Sequence, residues 1–592
     1  MNQVRIISAL SAVAAATLAM GACAEDRGIF TNGPTFEVDS GGDAPECGYR
    51  CSLDGRAVIE TCSGETVQTC PPEQACGAGR CHEPCAAAAA DNRSDGCDFY
   101  LQTPRFTKAY GQSCFVAFVV NSSTQPAELT LQLRDETLDI SKSVYRTNPG
   151  DATLIPHSGP LPPGESAIVF VSDMPPDGIA SQWQARCPKG VVPASTEDPL
   201  PDRTGFGKAF RLGSTAPVSV TSIYPFGGAL SFYPSATLLL PVPSWSKQHI
   251  VVNGWGIANS GMPGAQIIAS EDQTEVTILP NAITDDGEGF VGGPAGVARS
   301  YTLGRGEILQ IVQPAELSGS IVTSTKPTTI FGGHSCAKVP ISSDACDVLN
   351  QQVPGFDRWG SEYVGVGYRP RTGNEGELVG YRIVAARDGT MLDYDPAPPA
   401  GAPLTMAAGE VAFFAEGTGS PFVVRTQDVD HPVYLAAYMS GNQRGFGGTA
   451  GGETGFAGQG DPEFVNVVPA GQYLSSYSFY ADPSFASTSL VVIRAKTNGT
   501  FEDVWLECAG NLTGFRPVGT RGEYEFMRVN LGQDNKPGDS FDGGVCGTGL
   551  HRMRSAGAFT ATLWGWGLAS SYAYPGGMAQ RKLVATPLPP IN

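Results

Sequence analysis

The residues best suited to chemistry in this sequence are histidine and cysteine set close together. "KPTTIFGGHSCAKVP", Lys326 to Pro340, places His334 two residues before Cys336. A thiolate beside an imidazole is a nucleophile with its base, or half of a metal site. Either role needs a free thiol. Cys346 lies ten residues on, near enough to close a short loop with Cys336 and remove that thiolate. His334 then reads as a loop or packing histidine, and Gly332-Gly333 as the end of the strand before it. The densest cysteine cluster poses the same choice. Cys47, Cys51, Cys62, Cys70, Cys76, Cys81 and Cys85 fall within 39 residues, and Cys97 follows. Cys47/Cys51, Cys76/Cys81 and Cys81/Cys85 have roughly the spacing of zinc ligand pairs, and His82 lies among them. The stretch has too few apolar residues for a core, however, and eight cysteines supply four staples in an oxidising compartment. Disulfides are the expectation, with no metal and no cofactor; their connectivity stays open. Asp285-Asp286-Gly287-Glu288 and the run Asp534 to Asp542 offer oxygens for calcium, but neither has EF-hand register, and both read as solvated loop tips.

A serine nucleophile is the other possibility. "GDSF", Gly538 to Phe541, resembles the nucleophile block of GDS-type hydrolases, and Asp428 and His431 in "DVDH" resemble their partner motif. Here the partners precede the serine, the reverse of that family's order, and the block falls in a Gly/Asp-rich loop. No G-x-S-x-G, H-E-x-x-H, P-loop or dinucleotide fingerprint occurs in a supporting context. The net charge is −20 and no basic stretch occurs, so nothing would neutralise phosphates, and nucleic acid is not an expected partner. The expectation is a protein that is not an enzyme.

The elements that must position these residues are strands. The 74 Gly and 46 Pro punctuate the chain densely, which favours many short strands over long helices. A Gly-Glu pair opening an apolar run recurs at Gly164-Glu165, Gly306-Glu307, Gly409-Glu410 and Gly522-Glu523, at intervals of 142, 103 and 113 residues. Gly permits the positive φ of a tight turn, and Glu can accept from turn amides or point to solvent. Around this mark, "AQIIASEDQTEVTIL", "YRIVAARDGTMLDY" and "SLVVIRAKTNGTFEDVWL" each read as strand, tight polar turn, strand, which predicts hairpins. "APVSVTSIY", "KPTTIFGGH" and "HPVYLAAYM" read as alternating strands opened by a proline. Trp564, Trp566, Tyr572 and Tyr574 alternate in "TLWGWGLASSYAYPGG" and read as core strand rather than an exposed binding face. Together these predict an all-β fold: tandem degenerate β-sandwich-like units after a small disulfide-rich module, with a propeller-like arrangement of the repeats as the alternative. The predicted segments are a signal over 1–23, a flexible tether over 24–46, the module over 47–97, and β units over 98–240, 241–350, 351–465 and 466–592. Cys114 with Cys187, Cys336 with Cys346 and Cys508 with Cys546 would staple the first, second and fourth units.

Arg5 and the apolar run Ile6 to Met20 read as an export signal. It ends "LAMGAC", which resembles the lipobox of bacterial lipoproteins, in which the cysteine, here Cys23, becomes the acylated first residue. Cleavage after Ala24 is the alternative and would leave a soluble periplasmic or secreted protein. Setting Cys23 aside leaves 14 of the 15 cysteines, an even number. Each buried acyl methylene contributes about 0.8 kcal/mol, so a multiply acylated cysteine would hold the chain on a membrane. The expected place is the outer membrane, exposed at the surface.

"GAQIIASEDQTEVTI", "SGSIVTSTKPTTIFGGHSCAKVP", "ACDVLNQQVPGFDRWGSEYV" and the terminal "YAYPGG" resemble the IgG Fc-binding protein N-terminal domain family, in the form found in myxobacterial lipoproteins. The resemblance is best over 241–580. The Cys47–Cys97 segment also looks like the small module that precedes this domain in such lipoproteins. It implies surface display and recognition of an extracellular protein or glycan rather than catalysis; no motif encodes antibody as the ligand. The expected function is that of a lipid-anchored binding or adhesion protein. A structural envelope protein with no specific ligand is the alternative, and an exported hydrolase the third.

Overall fold

The computed structural model describes residues 47–591, apart from 53–54, 110, 179–183, 229–230, 232, 259 and 447–455. Cys23, the signal segment and the expected tether lie outside the described residues.

The module is held by sulfur because it has almost nothing else. Its buried apolar cluster is Val58 with Cys70 and Cys76. Strands Tyr49–Cys51, Ala57–Glu60 and Thr66–Thr69 form one small sheet, and Ala75–Gly77 pairs with Arg80–His82. Disulfides join Cys47 to Cys62, Cys51 to Cys76, Cys70 to Cys81 and Cys85 to Cys97. The α-helix of the described residues is Pro84–Ala90, with Pro at its first turn, then Cys85, and alanine, the best helix former, from Ala86 to Ala90. Gly77 lets this helix sit close: a Cβ there would meet the Ala87 carbonyl oxygen at 2.2 Å.

Three of the four sandwich-like units are organised by one long strand that folds across both layers. In the first, Phe210–Tyr224 pairs with Leu129–Leu133 through its first half and with Phe115–Asn121 through its second. In the next, Ile321–Ala337 pairs first with Thr274–Leu279, then with Pro263–Ala269. In the last, Gly549–Gly567 pairs with Val504–Leu506, then with Ser487–Ala495. In the third unit the same path is broken into Phe422–Thr426 and Val433–Met439, which lie in two separate four-stranded sheets.

Two expectations are corrected by this topology. The strands on either side of the polar turns do not pair with each other: Pro263–Ala269 and Thr274–Leu279 both flank the long strand, on opposite sides of its corner. The turn residues do take positive φ (Gln273, Gly389, Asn498), but a tight reversal fixes where the chain turns and not which edge it then joins. Of the three prolines so read, Pro432 alone stands at the start of its strand, just before Val433–Met439. Pro217 and Pro327 sit inside the long strands, at the corner between one pairing and the next, where no ladder donor is called for. The Gly-Glu marks are turns: Gly164, Gly306, Gly409 and Gly522 have φ of 72°, 69°, 74° and 69°. Glu307 and Glu410 accept the amide N–H three residues back at 2.8 Å, while Glu165 and Glu523 pair with Arg146 and Arg425.

Each unit ends on a short strand at a common axis. Ser235–Leu238, Asp347–Val353, Glu463–Asn466 and Ser570–Pro575 pack each against the next in a closed ring. Gln351 bridges it, its side-chain amide donating to the carbonyls of Ala236, Phe464 and Ala573 at 2.8, 2.9 and 3.1 Å. Sandwich-like units therefore stand in a propeller-like ring. Their cores are shared: Leu238 and Leu240 from the first unit pack in one cluster with Leu435 of the third and Trp564 of the fourth. Trp564, Trp566, Tyr572 and Tyr574 are at most 1 % exposed, which places them in the core.

Candidate functional site

The residues singled out for chemistry are spent on structure. Cys336 is bonded to Cys346. His334 Nδ1 accepts the Cys336 N–H at 3.1 Å, so its Nε2 carries the proton and donates to the Ile257 carbonyl at 3.2 Å. Burial pushes its pKa down to about 4, leaving a neutral ring with both nitrogens engaged. His334 is not in a loop. The strand runs on through Gly332 and Gly333 to Ala337, because the missing Cβ atoms admit the Val252 and Leu349 carbonyls at 1.7 and 2.2 Å from where side chains would begin. His431 bonds to Asp428 at 2.8 Å within their own turn. Ser540 is exposed on a two-residue strand and is hydrogen-bonded to neither through its side chain among the described residues. The loop acids bind their own loops: Asp286 accepts the Gly292 amide and Asp539 the Asn530 amide, each at 2.8 Å. Among the described residues no three His, Cys, Asp or Glu side chains are grouped to hold a metal ion. Cys114 is bonded to Cys187 and Cys508 to Cys546.

Three carboxyls do gather, but inside the axial ring. Asp347, Asp461 and Glu463 are buried, and each leaves one oxygen without a partner. Burial raises all three pKa values, that of Asp461 to about 8, and Asp461 and Glu463 push Asp347 further up. Burial favours the protonated form of each, and none faces solvent.

Open to solvent is a cleft of about 460 Å³ between the module, the first unit and the last. Its floor is the outer face of the last sheet. From Gly549 to Gly557 the strand alternates, with Arg552, Arg554 and Ala556 exposed and the residues between them buried. Cross-strand register sets Ser476, Arg554 and Trp505 in one row, with Ser478 beside Arg552 in the next. The Arg554 guanidinium lies 4.5 Å from the centre of the Trp505 ring. One wall is the helix Pro84–Ala90 with Asp91; the other is the loop Ser122 to Gln125, tied to the module by Gln125 donating to the Pro72 carbonyl at 2.7 Å. Arg93 crosses to the floor and donates to the Ser476 hydroxyl at 2.9 Å. No motif marks this cleft in the sequence, because its floor and walls come from segments hundreds of residues apart. The one local trace is the arginine at every second position in "HRMRS".

Stapled β-sandwich units closed into a ring, with a polar cleft open at the surface, make a scaffold for binding. The sequence model of the IgGFc binding protein family matches residues 235–565, beginning at the first axial strand, and the chain belongs to that family. The protein named IgGFc-binding protein from Homo sapiens is 25 % identical to it over 262 residues. That segment is 44 % of this chain and 4 % of the relative, so the chain spans a small part of that relative's length. No solved structure gives a significant match.

Proposed function

We propose that the chain is exported, acylated at Cys23 and displayed on the outer membrane, where it binds an extracellular protein or glycan without altering it. The observation that carries this reading is membership of the IgGFc binding protein family over more than half of the chain. The seven disulfides of the described residues suit an oxidising exterior. The Fc region named for the human relative is one candidate protein ligand.

The full chain, purified in detergent and applied to protein and glycan arrays that include IgG Fc, tests this reading. A saturable, competable signal is expected. No signal above background replaces the binding role with a structural envelope role, and hydrolysis abolished by Ser540→Ala would replace it with catalysis. Mass analysis of the mature N-terminal peptide checks the anchor: an acylated Cys23 is expected, and an unmodified peptide beginning at Glu25 rejects it.

A further inference from the structure

We propose that the cleft between the disulfide module and the last sheet is the ligand seat, and that it takes an anionic glycan whose carboxylate or sulfate docks on Arg554. The proposal rests on the binding reading above and names the site and chemical class of the ligand.

Arg554 is the exception among the arginines of its sheet. Arg494, Arg516, Arg528 and Arg552 each have a glutamate within 3.7 Å. Among the described residues Arg554 has no ion pair and no side-chain hydrogen bond; its contact is the Trp505 ring. A guanidinium held over an indole keeps its N–H donors free of the ring, and that fork matches a planar or tetrahedral oxyanion. In a chain of net charge −20, an arginine left without an acid stands out.

A second guanidinium lies close by. Arg93 also reaches the floor, and its buried Nε makes no hydrogen bond but lies 3.7 Å from an Asp95 oxygen. Arg581 lies near enough for Arg93 to help lower its pKa, after burial. The acids on this side already have partners. Asp91 accepts the Ala78 amide at 2.7 Å, Glu507 pairs with Arg552, and Asp95, which also lines the cleft, pairs with Arg93 at 3.7 Å.

The rest of the lining suits a sugar ring, which has both hydroxyls and an apolar C–H face. Ser122, Thr124 and Ser478 stand beside Ala87, Ala88 and Pro217, and the floor is a sheet face rather than a free edge. An acidic peptide would want a strand edge to pair with. A polyhydroxylated chain wants hydroxyl and amide partners beside a cation. The volume, about 460 Å³, is in the range of ligand pockets.

The test compares binding of the full chain to dextran sulfate, polygalacturonate, neutral dextran and polyglutamate. Saturable binding to one or both of the first two is expected, weakening with salt, with none to dextran. The sulfate and uronate arms tell the two anion sources apart. Arg554→Gln should weaken binding about 10-fold or more, the loss of one charge-assisted contact. Arg554→Lys should recover part of it, which keeps the test decisive if the glutamine variant misfolds. Equal affinity for polyglutamate would overturn the glycan assignment. Ligand binding on the arrays that is indifferent to both Arg554 variants would overturn the site while leaving the binding role intact. Silence on every array would remove both.

Discussion

His334 donates from Nε2 to one backbone carbonyl and accepts at Nδ1 from one backbone amide, so its tautomer is fixed and neither nitrogen is left for a metal or a substrate. The pattern His-x-Cys was visible in sequence, and so was the loop that Cys346 could close. The partner that occupies Nε2 was not, because Ile257 lies 77 residues earlier. The two glycines before the histidine were legible as special and were assigned the wrong task. They serve close approach rather than a strand end. Gly332→Ala would drive a methyl group into the Val252 carbonyl, whose oxygen is 1.7 Å from the ideal Cβ position. Overpacking of this kind costs about 1–3 kcal/mol, and the denaturant midpoint should fall accordingly. Gly389→Ala has open space, so only its positive φ of 68° would be penalised, and a smaller loss is expected. Equal losses for the two variants would contradict the packing account.

At the scale of elements, the corner of the long strand decides the sandwich. Pro327 stands where the strand leaves Thr274–Leu279 and joins Pro263–Ala269, so its missing N–H costs nothing. Pro327→Ala should change stability by less than about 1 kcal/mol, the entropy of a freer unfolded chain. Thr329→Pro, two residues on, enters the ladder opposite Ile268 and loses the hydroxyl that accepts from Gln352, and should cost about 3 kcal/mol or more. Thermal unfolding of the two variants measures the contrast; comparable losses would place the corner elsewhere. Turns, corner prolines and the Gly-Glu reversals were all legible locally, because each is written in the φ preference or missing donor of one or two residues. Strand partners were not. Which edge accepts a strand depends on a third strand more than forty residues away, and the two-layer path is set only when Ile321–Ala337 bends over both sheets. The cleft was hidden for the same reason: Trp505 and Arg554 meet across two strands of the last sheet, and Arg93 reaches the same floor from the end of the module.

For the molecule as a whole, the ring concentrates in one place a cost that the sequence disperses over two units. Asp347 comes from the end of the second unit, and Asp461 and Glu463 from the end of the third. Closing the ring buries all three, with Arg371 the cation that lowers Asp461. Taking a carboxylate out of water is costly, so burial shifts all three towards the protonated form. The sign follows from linkage. The unfolded chain releases the Asp461 proton near the ordinary value of 3.8, whereas the folded chain holds it until about 8. Between those limits the unfolded state binds fewer protons, so stability falls as pH rises from about 4 and levels off above about 8. The buried histidines act in the opposite direction. His249, His334 and His551, each lowered to about 4 by burial, remove stability as pH falls below their unfolded value of 6.5. The most stable pH therefore lies on the mildly acidic side of neutrality. Asp461→Asn deletes one of the three acids without adding charge. Its unfolding free energy should fall less steeply between pH 6 and pH 9, with a gain on the order of 1–3 kcal/mol at the alkaline end, since each pKa unit corresponds to about 1.4 kcal/mol. The slope should not vanish, because Asp347 and Glu463 remain. Urea unfolding across that range, with the exposed Asp430→Asn as control, reads the difference directly. Parallel pH profiles for Asp461→Asn and the wild-type chain would show that the axial carboxyls are already ionised and that the ring is held by something other than their retained protons.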